Sequence, residues 1–295
     1  VLPFQPPVVG MAHEIEAAGE RKLIRQHLDR TQPGQREIVQ DMVDLIDSLG
    51  REKAVWIGHD WGSPVAWNMA LHHPERVAAV ASLCVPFGFS GHPNDLDYAI
   101  NRELYPVDKY PAGQWDYQLF YYENFAVAQR EMEENPERVV KLLFRKGDPA
   151  GQGQIAATAL TRKNGGWFTP LGGVPDAPID YDVVTDEDIA VYAKHLSENG
   201  FFGPNSWYVN GDANQAYFDE KPDRTLAMPA LFVHASYDYV CDTTNTGFAE
   251  PMRQLCQNLS EHRLDCGHWM AQEKPSELNG ILSQWLVGKA SYPAA

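Results

Sequence analysis

Apolar residues follow helical spacing or form short continuous runs in the first part of the chain. Residues 36–49 show the period of an α-helix, and Gly50 stands where a C-terminal cap belongs. The run at 54–57 predicts a strand that ends at a glycine, and the spacing over 63–72 predicts a second helix. The pattern therefore predicts helix, strand, sharp turn and helix, in that order.

Similar runs occur again further along the chain. Residues 77–83 are continuously apolar, as expected of a strand covered on both faces, and residues 229–236 have the same character. Residues 261–265 predict another strand, and residues 276–287 predict a closing amphipathic helix. Strands that alternate with helices indicate an α/β fold with a mostly parallel sheet flanked by helices.

The middle of the chain has a different character. Aromatic residues become dense, strand-like runs disappear, and Thr185 with Asp188 forms the capping box of a predicted helix. We therefore predict a helical cap, or lid, over residues 87–225. It is inserted into a core formed by residues 1–86 and 226–295.

Composition and charge restrict the kind of partner. The 295 residues are 44% hydrophobic and 22% charged, which is typical of a globular protein. Forty acidic residues against 24 basic ones give a formal charge of −16, which repels phosphate backbones and anionic lipids. We therefore expect a neutral or weakly polar small molecule as partner, and neither nucleic acid nor a membrane.

Cysteine usage and apolar length predict a cytoplasmic location. The N-terminal residues lack the basic and apolar regions of a signal peptide, and no stretch approaches the ~18 apolar residues of a membrane span. The cysteines show no CxxC pairing and are too few for a disulfide framework, so we expect a reducing compartment. Four cysteines are interpreted as packing residues: Cys84, Cys241, Cys256 and Cys266.

The sequence WIGHDWG, residues 56–62, places Asp60 between two glycines, after a predicted strand and before a predicted helix. Glycines there permit a strained turn that lifts the central side chain clear of the sheet, and the N–H of Trp61 is a candidate oxyanion donor. A carboxylate at this position suits attack on a saturated electrophilic carbon, with formation of an ester. The alternative is that Asp60 only caps the following helix.

Such an ester needs a base to activate water and an acid to orient that base. Asp238 follows the predicted strand 229–236 and His268 follows 261–265, beyond strand ends where open α/β sheets build their sites. The order nucleophile, acid, base matches the α/β-hydrolase arrangement. Alternatively, Asp238 is only a turn former. Four other histidines, none in a metal-site pattern, are interpreted as solvated or packing residues: His59, His72, His73 and His195.

Four segments together, GHDWGSPVAW, HPERVAAVASLCVPF, DCGHW and GPNSWY, resemble the soluble epoxide hydrolases of the α/β-hydrolase superfamily. The resemblance runs from about residue 37 to 286 and implies a parallel-sheet core with an inserted helical cap. It implies that Asp60 opens the epoxide and that water activated by His268 and Asp238 hydrolyses the ester. It also implies two cap tyrosines that donate protons to the epoxide oxygen, matched by Tyr117 in WDYQL and Tyr208 in GPNSWY.

Two other functions stay open. Haloalkane dehalogenases share the aspartate turn but hold halide with indole or amide N–H groups, so the pair Tyr117 and Tyr208 favours an epoxide. A non-catalytic protein that binds an apolar ligand is the other alternative. The joint presence of a nucleophile, a base and acid donors favours an enzyme, because ligand binding alone needs none of them.

The chain departs from the family pattern upstream of the nucleophile. It lacks the His-Gly-x-Pro segment that supplies a second oxyanion donor in the family, and the first 35 residues contain no convincing series of buried strands. We interpret this as a stretch omitted between about Glu20 and Gly34, with natural shortening as the alternative. A sheet without its early strands would expose hydrophobic edges.

Together these patterns predict an epoxide hydrolase that converts an apolar or aromatic epoxide and water to a vicinal diol. We expect no cofactor and no metal ion. The aromatic density of the predicted cap indicates a hydrophobic substrate channel. Three of its aromatic residues are predicted to bind substrate: Trp115, Phe120 and Trp207. The oligomeric state stays open, with a homodimer as one alternative.

Overall fold

Four parallel strands form the sheet around which the fold is built. The computed structural model describes residues 34–90, 92 and 96–289. Within them the strands lie side by side in chain order: β1 Ala54–His59, β2 Val77–Leu83, β3 Leu226–Ala235 and β4 Cys256–Leu264. The register pairs His59 with Leu83, Leu83 with Val233, and Ala235 with Leu264. The carboxyl ends of all four strands therefore meet at one edge of the sheet.

Helices cover both faces of the sheet. Alternate residues of the central strands face opposite sides, so Phe232 packs in a cluster with Val39 of α1 (Gln35–Ser48) and Trp67 of α2 (Gly62–His72). The neighbouring residue Val233 packs in a second cluster with Leu278 of the closing helix Pro275–Lys289. This arrangement confirms the predicted α/β fold with a mostly parallel sheet.

The segment between β2 and β3 is helical. Its described residues form helices and contain no strand. The helices of this segment are α3 Asp116–Glu134, α4 Pro136–Leu143, α5 Asp186–Asn199, α6 Phe202–Ser206 and α7 Gly211–Asp219. Three helices follow β3: α8 Glu250–Leu255, α9 Met270–Glu273 and the closing helix, α10. The limits 87–225 for a separate cap domain stay a prediction.

The predicted elements are present, with some shifted ends. The strand 77–83 is observed as predicted, and Thr185 caps α5 through the predicted box, in which its hydroxyl oxygen accepts from the Asp188 N–H at 3.1 Å. The prediction of a strand at 261–265 is wrong in its start and end, because β4 spans Cys256–Leu264. Pairing with β3 draws its polar first half into the sheet, where Asn258 lies opposite Pro229.

Cap and core share hydrophobic packing. Trp115, which immediately precedes α3, is 1% exposed and packs against Phe89 and Phe248. It belongs to the same cluster as Ala81 of β2 and Val233 of β3. The side chain of Trp115 is therefore part of the packing that joins the helical insertion to the sheet.

The remaining predictions concern the N-terminal residues and membrane-spanning helices. Two predictions concern mainly residues 1–33, which lie outside the described residues: the omission between Glu20 and Gly34, and the lack of early strands. Among the residues that are described, no helix combines the length and apolar character needed to cross a lipid bilayer.

Candidate active site

A tight turn at the end of β1 displays Asp60. The residue has φ = 50°, in the left-handed region that non-glycine residues rarely adopt. The turn is possible because Gly58 lacks a side chain: a Cβ there would lie 2.2 Å from the Gly62 carbonyl oxygen. Trp61, and not Asp60, is the N-cap of α2, and the helix has no side-chain cap at that end. Asp60 therefore does not occupy the N-cap position of α2.

The imidazole of His268 lies between two carboxylates. Its Nδ1 is 2.6 Å from Asp238 Oδ2, and its Nε2 is 3.1 Å from Asp60 Oδ1. The loops beyond β3 and β4 bring these residues together, since the Tyr237 N–H donates to the Cys266 carbonyl oxygen at 2.9 Å. The structure thus places the three predicted residues in one chain of polar contacts, as the order of nucleophile, acid and base required.

Asp238 is fixed by its own loop. The residue is 5% exposed, and its Oδ1 accepts the N–H groups of Cys241 at 2.9 Å and Val240 at 3.2 Å. This leaves Oδ2 for His268. Burial alone would raise the pKa of Asp238, but the charge and hydrogen bond of His268, followed by the two backbone N–H groups, lower it. Asp238 is thus held as the anion that an orienting acid requires.

The charges of the site stabilise one another. Burial opposes the His268 cation, but the charge and hydrogen bond of Asp238 and the hydrogen bond of Asp60 together raise the pKa of His268 well above its ordinary value. Burial likewise opposes the Asp60 anion, while His268 and the N–H of Trp61 contribute to lowering its pKa. Asp60 and His268 therefore stabilise each other's charged forms.

The two oxygens of Asp60 have different partners. Oδ1 faces His268, whereas Oδ2 accepts the backbone N–H of Trp61 at 2.6 Å. The N–H predicted as an oxyanion donor therefore lies on the carboxylate itself. It would remain on the same oxygen if Oδ1 became part of an ester.

The predicted phenols lie together above the turn. The rings of Tyr117 and Tyr208 are 5.5 Å apart, and Tyr208 meets the Trp61 ring edge-on at 5.4 Å. Burial raises the pKa of both phenols well above the ordinary value. The negative charge of Asp60 contributes to the raised pKa of both phenols. Tyr121, which was not predicted as a site residue, stacks on Tyr208 at 4.5 Å.

The three predicted substrate-binding aromatics have different surroundings. Trp207 stacks on Trp61 at a ring distance of 5.9 Å, directly beside the nucleophile turn. Trp115 and Phe120 are each 1% exposed and pack within hydrophobic clusters. Such burial is typical of core residues, and the contact of these side chains with substrate stays a prediction.

Two residues beside His268 were interpreted only as packing or solvated residues. His59 Nε2 lies 2.8 Å from the His268 carbonyl oxygen and must carry the proton, because a carbonyl only accepts. The Cys84 thiol donates to the same oxygen at 3.3 Å, and burial raises its pKa to about 12. Their positions in the sequence could have indicated that both lie near the site, since His59 ends β1 beside Asp60 and Cys84 follows β2.

Two groups of potential metal ligands also surround His268. One consists of His59, Cys84 and His268, the other of Asp238, Cys241 and His268, with ligand atoms within 4.8 Å of one another in each group. Both groups need His268, whose ring nitrogens are already occupied by two carboxylates. The absence of a metal requirement stays a prediction.

Known proteins with similar sequences and structures support the same interpretation. The family described as alpha/beta hydrolase fold matches residues 25–275. Bifunctional epoxide hydrolase 2 of Sus scrofa is 38% identical over 257 residues, which cover 87% of this chain and 43% of that protein. The chain thus spans less than half the length of this curated relative.

Shorter relatives are covered more fully. Epoxide hydrolase A of Mycobacterium tuberculosis is 30% identical over 252 residues, covering 84% of this chain and 73% of that protein. The crystal structure of epoxide hydrolase A from Mycobacterium thermoresistibile superposes with a TM-score of 0.67 at 30% identity, covering 87% of this chain and 76% of that one. With the nucleophile turn already described, these likenesses show that the chain belongs to the epoxide hydrolase family of the α/β-hydrolase superfamily.

Proposed function

We propose that this protein hydrolyses an apolar or aromatic epoxide to a vicinal diol through an ester of Asp60. The observation that carries the proposal is the placement of His268 between the Asp60 and Asp238 carboxylates, with the Tyr117 and Tyr208 rings 5.5 Å apart and Tyr208 edge-on to Trp61, the residue after Asp60. The sequences named epoxide hydrolase support the same reaction.

The first step is attack by Asp60 Oδ1 on one carbon of the epoxide. The new bond joins Oδ1 to that carbon while the carbon–oxygen bond of the ring breaks. The departing alkoxide takes a proton from Tyr117 or Tyr208, whose raised pKa values keep them protonated at neutral pH. Trp61 N–H holds Oδ2 in place and thereby directs Oδ1 toward the substrate.

The second step is hydrolysis of the ester. A water molecule attacks the carboxyl carbon of Asp60 and gives a proton to His268 Nε2, while Asp238 orients the ring through Nδ1. The negative charge that develops on Oδ2 is stabilised by the Trp61 N–H. Collapse of this intermediate breaks the bond between the carboxyl carbon and Oδ1, and the leaving alkoxide takes the proton from His268 to complete the diol. The second proton of the water, left on the carboxyl group of Asp60, returns to the tyrosine that protonated the epoxide oxygen, which restores both the Asp60 carboxylate and the phenol.

Dehalogenation is the competing reaction at the same carboxylate. A departing halide needs N–H donors and no proton, whereas a departing alkoxide needs an acid. The close pair Tyr117 and Tyr208 supplies two such acids, which favours the epoxide. A non-catalytic ligand-binding protein would require neither the buried acid Asp238 nor the aligned base.

Single turnover in ¹⁸O-water tests the proposal. Excess enzyme is mixed with styrene oxide, and the peptide that contains Asp60 is then analysed by mass spectrometry. Hydrolysis at the carboxyl carbon leaves ¹⁸O in the Asp60 carboxylate, which is the expected result. Label found only in the diol would overturn the ester mechanism, and chloride release from chloroalkanes without any diol formation would favour a dehalogenase.

A further inference from the structure

The residues on either side of His268 are attached to the helical insertion. We call residues 267–269 the base segment and residues 143–147 the cap segment. Trp269 Nε1 donates to the Leu143 carbonyl oxygen at 2.6 Å, and the Trp269 ring stacks on Phe144 at 4.1 Å. One end of the base segment is thus held by a hydrogen bond and a stacked ring pair.

The other end is held by a carboxylate. Glu273 Oε2 accepts the N–H of Gly267 at 2.8 Å and the N–H of Gly147 at 2.9 Å. One oxygen atom therefore joins the backbone of the base segment to that of the cap segment. Glu273 ends α9, the short helix that starts directly after the base segment, so its own position depends on the same loop.

The two backbones touch where they share this oxygen. A Cβ at Gly147 would lie 2.3 Å from the Gly267 nitrogen, and a Cβ at Gly267 would lie 2.7 Å from the Gly147 nitrogen. Only glycine at both positions allows this approach. Without the carboxylate, two adjacent N–H groups would lose their shared acceptor, and the backbone beside His268 would shift to satisfy them.

We propose that Glu273 is a positioning residue that fixes the general base to the cap. It contacts neither the nucleophile nor the phenols, and it acts through the backbone of Gly267 on His268. The proposal rests on the function proposed above. Because His268 acts on the ester and the tyrosines act on the epoxide, loosening the base segment should slow ester hydrolysis selectively.

Rate constants for the two chemical steps test this role. Styrene oxide is mixed with enzyme, quenched at short times, and the alkyl-enzyme is quantified by intact-protein mass spectrometry. For Glu273→Ala we expect ester hydrolysis to slow by about 10- to 100-fold, the range for a displaced catalytic group, with ester formation close to that of the parent. His268→Gln, which lacks the proposed general base, is the reference variant: its ester should form but should not break down.

Two matched variants separate positioning from general damage. Glu273→Gln keeps an oxygen acceptor in the same place and should hydrolyse the ester like the parent, which a requirement for the negative charge would not allow. Glu277→Ala removes an exposed carboxylate four residues away, whose ion-pair partner is Lys274, and should also behave like the parent. Trp269→Phe keeps an aromatic ring beside Phe144 but removes the N–H donor to the Leu143 carbonyl oxygen. It should slow ester hydrolysis and can be measured even if Glu273→Ala does not fold.

The outcomes distinguish the two proposals. Parental ester hydrolysis in Glu273→Ala, or in Trp269→Phe if that is the folded variant, would overturn the positioning role while leaving the ester mechanism intact. Equal slowing of both steps would overturn it as well, because the effect would then not pass through the base. A parent protein that never forms an alkyl-enzyme would instead overturn the proposed function.

Discussion

At the residue scale, the carboxylate of Asp60, the proposed nucleophile, also affects the pKa of His268. As an anion 3.1 Å from His268, it contributes to the raised pKa of the imidazole. Formation of an ester removes that negative charge and that strong hydrogen-bond acceptor. The pKa of His268 should then fall, while Asp238, the larger cause of its raised value, stays in place. In the proposed mechanism, this fall favours the neutral imidazole in the step in which it accepts a proton.

This reasoning predicts the behaviour of a neutral substitute for the ester. In Asp60→Asn the cation of His268 loses one of its two partners, so the pKa of His268 should be lower than in the parent. NMR titration of the His268 ring resonances measures the shift. In the parent, the pH at which hydrolysis of the Asp60 ester becomes fast should follow the lower pKa measured for His268 in Asp60→Asn, since only the neutral imidazole accepts a proton.

Asp242→Asn provides the control for that titration. Asp242 lies in the same loop as Asp238 but accepts hydrogen bonds from Thr244 and Asn245, away from His268. Its substitution should leave the pKa of His268 unchanged. An unchanged or raised pKa of His268 in Asp60→Asn would contradict the idea that the nucleophile controls the base.

At the scale of elements, the strand–turn–helix unit of β1 and α2 decides where the Asp60 carboxylate lies. The two glycines around Asp60 contribute unequally. A Cβ at Gly58 would clash with the Gly62 carbonyl oxygen, whereas a Cβ at Gly62 would meet nothing within 4 Å. The turn therefore depends on Gly58, and Gly62 is a replaceable first residue of the helix.

A pair of alanine variants tests this asymmetry. Gly58→Ala forces backbone atoms apart and should lower the free energy of unfolding by about 3 kcal/mol and abolish ester formation. Gly62→Ala should be neutral or should stabilise by about 0.5–1 kcal/mol, because alanine favours the helix. Urea denaturation followed by circular dichroism measures both, and equal effects of the two variants would contradict the structural argument.

At the scale of the whole molecule, the helical insertion and the sheet share one hydrophobic cluster. Trp115 from the insertion packs in the cluster that also contains Ala81, Val233 and Leu278. The tether through Glu273 adds a polar link between the same two parts. We therefore expect residues 34–289 to unfold as one cooperative unit.

Calorimetry tests this cooperativity. The parent should show a single thermal transition, and Trp115→Ala should shift the whole transition downward, in line with a loss of about 3–5 kcal/mol for removing a buried tryptophan. Catalytic activity should disappear in the same temperature range. Two resolved transitions, with the insertion melting first, would show instead that the cap and the core are energetically independent.

The sequence by itself determined the elements and predicted three residues that the structure brings into contact at the candidate site. The spacing of apolar residues and the positions of glycine and proline were sufficient for this prediction. Asp60, Asp238 and His268 each follow a strand end that can be recognised from a short stretch of chain. Even so, the start of β4 was missed, since its polar residues become strand only through pairing with β3.

Only the tertiary structure decided which residues support that centre. His59 and the His268 carbonyl oxygen that it binds are 209 residues apart in the chain, and Gly147 lies 126 residues before Glu273. Neither pair leaves a local period, because contacts of this kind arise from packing rather than from the spacing of apolar residues. Asp60 and His268 could therefore be identified from the sequence as candidate site residues, whereas the contacts that hold His268 in position required the fold.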